Sequence, residues 1–80
     1  MKIYSIKDYV ADNFDNLMLF VNDGVASRWF HGALMKTDAL NAKDLSLFQI
    51  GEFDTDSAEI KAVIPRLVVS ASAFLGGEDD

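Results

Sequence analysis

The chain lacks cysteine, and it has only one proline and one histidine among its 80 residues. The absence of cysteine excludes disulfide bonds, thiolate metal sites, iron–sulfur clusters and a cysteine nucleophile, and it is typical of a reducing cytoplasm. The longest apolar stretch, 63–75, is interrupted by Pro65 and Arg66 and is shorter than the roughly 20 residues of a membrane-spanning helix. Lys7 and Asp8 interrupt the first segment, which leaves no apolar core for a signal peptide. We therefore expect neither a signal peptide nor binding to a membrane.

Basic residues are scarce, since 7 Lys and Arg stand against 13 Asp and Glu, for a net charge of −6. Tight, sequence-independent binding to nucleic acid relies on cations that displace counterions from phosphates, and this composition opposes it. The acidic excess instead suits solubility or a basic protein partner. The length allows one domain, which we place at 1–75, and we expect 76–80 to be an acidic flexible tail.

Residues that commonly carry catalysis are also few. His31 is the only histidine, and a metal site or a general base would need partner residues that the sequence does not place beside it. No serine stands in a Gly-x-Ser-x-Gly motif, and no glycine-rich phosphate-binding loop is present. We therefore expect no catalytic, cofactor-binding or metal-binding residues, no cofactor, and no enzymatic activity.

An amphipathic helix is the clearest periodic feature. Asn22 or Asp23 can cap its start, and the apolar residues that follow occupy one half of a helical surface over about 23–36. They are Val25, Ala26, Trp29, Phe30, Ala33 and Leu34. We expect this half to lie across a sheet, with Trp29 and Phe30 in the core and not in a base-stacking platform.

The segments before the helix predict a hairpin. Residues 1–7 and 17–21 have strand patterns and are separated by turn-forming residues at 12–16. Because 17–21 is apolar on both faces, we expect it to be a central or doubly covered strand.

A second hairpin is predicted after the helix. Strand 45–53, interrupted by Gly51 at a bulge or close contact, is followed by a turn at 54–57 and a strand at 58–64. Residues 66–75 fit either a helix or a strand, and we favour a strand that runs into a helical turn near Ala71. The predicted fold is α+β, a small antiparallel sheet of four or five strands with one helix packed on one face.

The other face of this sheet is expected to stay apolar and uncovered. Large exposed apolar patches mark association sites, so we expect a homo-oligomer, with a dimer favoured. The candidate interface residues are Phe14, Met18, Phe20 and Phe48.

The segment DLSLFQIGEFD at 44–54 resembles a signature of the small non-structural protein of gokushovirus-type microviruses, which are single-stranded DNA phages. The opening KIYSIKD at 2–8, the helix start NDGVASRWF at 22–30 and PRL at 65–67 also match that family's order. The resemblance covers nearly the whole chain.

The resemblance implies a non-virion accessory protein in the host cytoplasm, which binds single-stranded DNA in genome replication or packaging and assists the switch from double- to single-stranded synthesis. Candidate nucleic-acid contacts are the scattered cations Lys2, Lys7, Arg28, Lys61 and Arg66. The alternative is a protein–protein adaptor or oligomerisation module that binds the phage replication initiator, a host replication protein or an assembly intermediate.

Overall fold

Five strands and three helices follow one another in the computed structural model, which describes residues 1–75. The strands are β1 (Lys2–Asp8), β2 (Asn13–Phe14), β3 (Met18–Phe20), β4 (Leu45–Phe53) and β5 (Ile60–Ser70). The helices are α1 (Asp23–Met35), α2 (Ala39–Ala42) and α3 (Ser72–Leu75). The α+β prediction is confirmed, and the predicted tail at 76–80 lies outside the described residues. No helix within 1–75 is long and apolar enough to cross a membrane.

All strand pairs are antiparallel, and β1 and β4 lie at the centre of the sheet. The order is β2-β1-β4-β5, and β3 pairs with β1 beside β2. The prediction that 17–21 is a central strand was wrong, because β3 is an edge strand in which Leu19 is 44% exposed. Its continuous apolar character has another cause: Met18 and Phe20 face the core, whereas Leu19 faces the uncovered side.

Helix α1 begins as its sequence predicts. The Asn22 side chain accepts a hydrogen bond from the Val25 N–H at 2.9 Å, which satisfies one of the first free amides of the helix. Ala26, Phe30 and Leu34 recur every four residues and are buried against the sheet. Trp29 was predicted to be buried with Phe30, but it lies at the border of the core and is 40% exposed.

The second hairpin extends further than its pattern predicts. Strand β5 continues through Pro65 to Ser70. An edge strand tolerates proline, because the backbone N–H that proline lacks would not need a partner there. The favoured reading of 66–75, a strand leading into a helical turn, is confirmed by β5 and α3. Gly51 lies where the β4–β5 register shifts. A Cβ there would be 2.8 Å from the Lys61 carbonyl oxygen, so the close contact predicted for this glycine is confirmed.

The helices pack on one side of the sheet. Tyr4 and Leu47 from the strands form one buried cluster with Ala26, Phe30 and Leu34 of α1, and Ile6, Met18 and Phe20 pack against it. We call this side the covered face. Side chains alternate along a strand and cross-strand partners share a face, so the register assigns the remaining residues to the opposite, open face. Its members are Ile3, Ser5, Lys7, Phe14, Leu19, Ser46, Phe48, Gly51, Phe53, Ile60, Ala62, Leu67 and Ser70.

Candidate functional site

The open face carries an aromatic cluster at one end of β1. Lys7 is the cross-strand partner of Phe14, and Ser5 is the partner of Phe48, so both rings project from the same side. The two rings meet edge to face with their centroids 5.5 Å apart. Phe14 is 41% exposed, and Tyr9, just beyond β1, is 51% exposed. The cluster therefore presents aromatic surface to solvent.

One cation lies among these rings. Lys7 Nζ is 5.1 Å from the Tyr9 ring centroid and 5.6 Å from that of Phe14, within range of cation–π attraction. It also approaches Asp12 Oδ1 at 3.6 Å, but the Asp12 side chain is 86% exposed. Such an exposed ion pair contributes little and can exchange partners. We call Lys7, Tyr9, Phe14 and Phe48 the aromatic–lysine cluster.

Small polar side chains hold this end of the open face in place. The Ser5 hydroxyl is completely buried and donates to the Asp15 carbonyl oxygen at 2.9 Å. Ser46 donates to the Ser70 hydroxyl at 3.1 Å across β4 and β5. Because the polar atoms beneath the rings are satisfied within the sheet, the surface that is offered to a partner is mostly apolar.

The apolar surface of the open face begins at the cluster, where Leu67 is the cross-strand partner of Phe48, and continues to Leu19 and Ile60. Leu19, Ile60 and Leu67 are 44%, 69% and 51% exposed. Among residues 1–75, Lys7 is the one charged residue that the strand register assigns to the open face.

Two of the four predicted interface residues lie on the other side of the sheet. Phe14 and Phe48 are on the open face, as reasoned from the alternation. Met18 and Phe20 instead pack against the core, where the Phe20 ring lies 5.8 Å from Tyr4 and 5.5 Å from Trp29. Their assignment to the uncovered face was wrong, because the sequence does not reveal which side of β3 meets the helix.

The structure does not bring the five candidate nucleic-acid contacts into one patch. Lys7 is on the open face, whereas Lys2, Lys61 and Arg66 lie on the covered face by register. Arg28 is exposed on α1. Lys2 and Lys61 both lie opposite Glu52, which reduces the positive potential at that point.

Lys2 and Arg66 converge on Asp23 at the start of α1. Arg66 Nη2 donates to both carboxylate oxygens of Asp23 at 3.0 Å, and Lys2 Nζ is 3.8 Å away. The Tyr4 hydroxyl donates to Asp23 Oδ1 at 2.7 Å, and Gln49 Oε1 accepts from Arg66 Nη2 at 2.6 Å. This network joins β1, β4 and β5 to helix α1. It also occupies the guanidinium of Arg66, which was one of the five candidate nucleic-acid contacts.

The network perturbs two pKa values in opposite directions. The hydrogen bond from Tyr4, and after it the bond and charge of Arg66, hold the pKa of the Asp23 carboxyl below its usual range. Burial raises the pKa of the Tyr4 hydroxyl above its usual range, and the Asp23 carboxylate raises it further. Both shifts favour the pair as found, a neutral phenol donating to a carboxylate.

Sequence reasoning missed Tyr9, Asp23 and Gln49 as members of these groups. Tyr9 has a sequence signal, because it continues the alternation of Ser5 and Lys7. The partners Asp23, Gln49 and Arg66 are far apart in the chain, and nothing in the sequence predicts their meeting.

A family model described as "Phage ORF5 protein" matches residues 1–74. The chain belongs to the phage ORF5 protein family. The expectation of a phage protein is thereby confirmed. No curated protein and no solved structure matches the chain.

In this ORF5-family protein, His31 is an exposed residue of α1 whose ring stacks on Phe74, with centroids 4.3 Å apart and planes 6° from parallel. Within 1–75, no group of three or more histidine or acidic side chains is arranged to hold a metal ion. The chemistry that the open face offers is apolar and aromatic contact, together with Lys7.

Proposed function

We propose that this phage protein is a non-enzymatic, non-structural accessory protein of a gokushovirus-type microvirus that binds single-stranded DNA. It would act in the host cytoplasm, outside the virion, in genome replication or packaging and at the switch to single-stranded synthesis. The aromatic–lysine cluster on the open face carries the proposal. Exposed rings on a sheet stack bases regardless of sequence, and a neighbouring cation pairs with the backbone phosphate.

The charge distribution sets the strength expected of this binding. The net charge of −6 repels a polyanion, and the cluster holds a single cation, Lys7. Stacking must therefore supply most of the affinity, and a single-strand phosphate contact contributes a slope of only about −0.7 in log K against log salt. We expect weak binding with a shallow salt dependence.

Fluorescence anisotropy with a labelled oligothymidylate at several salt concentrations tests the proposal. Tyr9→Ala should weaken binding by about 1–3 kcal/mol, the usual contribution of one stacked base. Lys7→Gln should reduce the salt slope by about 0.7. Lys36→Gln is the matched control, because Lys36 is exposed at the C-terminal end of α1 and is not a member of the cluster. Absence of binding at low salt would eliminate direct DNA recognition.

The second candidate is a protein–protein adaptor or homo-oligomerisation module, with a dimer favoured. The exposed side chains of Leu19, Ile60 and Leu67 favour this alternative. A broad apolar surface without charge is typical of protein–protein contacts. In this alternative, the partner is a second copy, the replication initiator, a host replication protein or an assembly intermediate.

Sedimentation velocity over a range of protein concentrations tests self-association. Leu67→Glu should shift a dimer to monomer, because it places a charge beside Phe48 on the open face. Leu40→Glu is the control, since Leu40 is 74% exposed on α2 and does not belong to that face. A monomer at every concentration eliminates the oligomer and leaves the adaptor to be tested with candidate partners.

A further inference from the structure

A groove of about 430 Å³ separates α1 from the β1–β2 hairpin on the covered side of the sheet. Its floor consists of Ile6, Phe30 and Leu34. Phe30 and Leu34 belong to the buried core, so the groove reaches down to the hydrophobic interior. Trp29 is 40% exposed at its wall. The volume lies in the usual range for pockets that bind ligands, about 300–1,000 Å³.

The polar rim of the groove is acidic. Asp8, Asn13 and Asp15 line it, and no lysine or arginine of residues 1–75 does. The Asp8 carboxylate accepts the Val10 and Ala11 N–H groups at 2.9 and 3.2 Å and so supports the turn after β1. Asp15 is exposed and held by its backbone, whose N–H donates to the Ile6 carbonyl at 2.8 Å. Asp15 therefore lies at the rim of the groove, whose floor is apolar.

We propose that this groove binds a segment of a basic partner protein, which inserts a large apolar side chain between lysines or arginines. Charge complementarity selects the occupant: the acidic rim and the net charge of −6 attract cations and repel nucleic acid. The apolar floor supplies the anchor pocket that hot-spot side chains require. The groove adjoins the open face, because Phe14 of the aromatic–lysine cluster also lines it, whereas Lys7, Tyr9 and Phe48 do not.

Trp29 makes the test direct, because it is the only tryptophan and it lines the groove. The probe is a short, blocked peptide in which leucine and phenylalanine alternate with lysine. The matched peptide has glutamate in place of every lysine. Titration should give a saturable change in Trp29 fluorescence with the lysine peptide and binding at least about tenfold weaker with the glutamate peptide. Equal binding of the two peptides overturns the proposal.

Two variants separate the contributions of charge and shape. Asp15→Asn should weaken binding of the lysine peptide by about threefold to tenfold, whereas the control Asp56→Asn, in the turn of the second hairpin, should have no effect. Ala33→Leu fills the groove without changing a charge and should abolish binding, and circular dichroism checks that the variant is folded. Unchanged affinity in either groove variant overturns the proposal.

Other occupants have distinct outcomes. If a second copy fills the groove, Ala33→Leu changes the sedimenting mass in the absence of peptide, and the proposal is overturned. Tyr9→Ala should leave binding of the lysine peptide unchanged, because Tyr9 belongs to the aromatic–lysine cluster but does not line the groove. This variant distinguishes a failure of the groove proposal from a failure of DNA binding at the cluster.

Discussion

The substitution Gly51→Ala should destabilise the protein strongly. A Cβ at this position would be 2.8 Å from the Lys61 carbonyl oxygen and 3.2 Å from Ile3 Cδ1. The Lys61 carbonyl oxygen is a backbone atom of the neighbouring strand β5. The steric clash can therefore be relieved only if β4 and β5 separate or their local register shifts. Overpacking of this kind costs about 1–3 kcal/mol. The obstacle is space and not conformation, because Gly51 does not have a positive φ.

Urea denaturation followed by Trp29 fluorescence measures this loss. With a slope of about 1 kcal/mol per molar urea for a small domain, the midpoint should fall by roughly 1–3 M. The melting temperature should fall by roughly 4–8 °C per kcal/mol. Circular dichroism would show whether the variant retains its sheet before the transition.

Gly32→Ala is the matched control, since it makes the same chemical change at an exposed position in the last turn of α1. No atom lies within 4 Å of a Cβ there, and alanine is favoured over glycine in a helix by about 0.5–1 kcal/mol. The two variants should therefore shift the midpoint in opposite directions. A Gly51→Ala protein as stable as the wild type, or a loss of equal size in both variants, would refute the steric reasoning.

Three further predictions concern a cap, a turn and an ionised network. Asn22→Ala removes the acceptor for the Val25 N–H and should lower the free energy of unfolding by about 0.5–2 kcal/mol in urea titrations; an unchanged midpoint would contradict the capping role. Ala58→Gly should raise stability by up to about 1 kcal/mol, because Ala58 has a φ of 65° that glycine adopts without strain; a lower melting temperature would contradict this. Asp23 has a depressed pKa in the folded state, so its stabilising effect is present above about pH 4 and is lost as the pH falls through the folded pKa. Asp23→Asn should therefore be less stable than the wild type at pH 7 and lose less stability on acidification, whereas parallel pH profiles of unfolding would disprove the linkage.

Local patterns were sufficient where a side chain's role depends on near neighbours in the chain. The apolar half predicted for α1 contains the buried Ala26, Phe30 and Leu34, although Val25 and Trp29 of the same half are 40% exposed. Of the two caps predicted for its start, Asn22 makes the capping hydrogen bond. Gly51 within an apolar strand predicts a bulge or a close contact. These features depend on helix and strand periodicity, which is set by covalent geometry and backbone sterics.

The candidate sites needed more than periodicity. Alternation places Leu47 and Phe48 on opposite faces, but it does not say which face the helix covers. The same uncertainty led to the misassignment of Met18 and Phe20. For the aromatic–lysine cluster, the sequence identified Lys7, Phe14 and Phe48 as separate candidates without predicting that they meet.

The amino-acid sequence by itself determined the α+β class, the helix with its cap, the scarcity of cations and the absence of cysteine chemistry, because these follow from composition and local spacing. Only the tertiary structure decided that β3 lies at an edge, that Asp23 meets Arg66, and that Lys7 sits among aromatic rings. Such contacts depend on strand order and register. These are chosen by the total burial of the folded chain and not by any one segment.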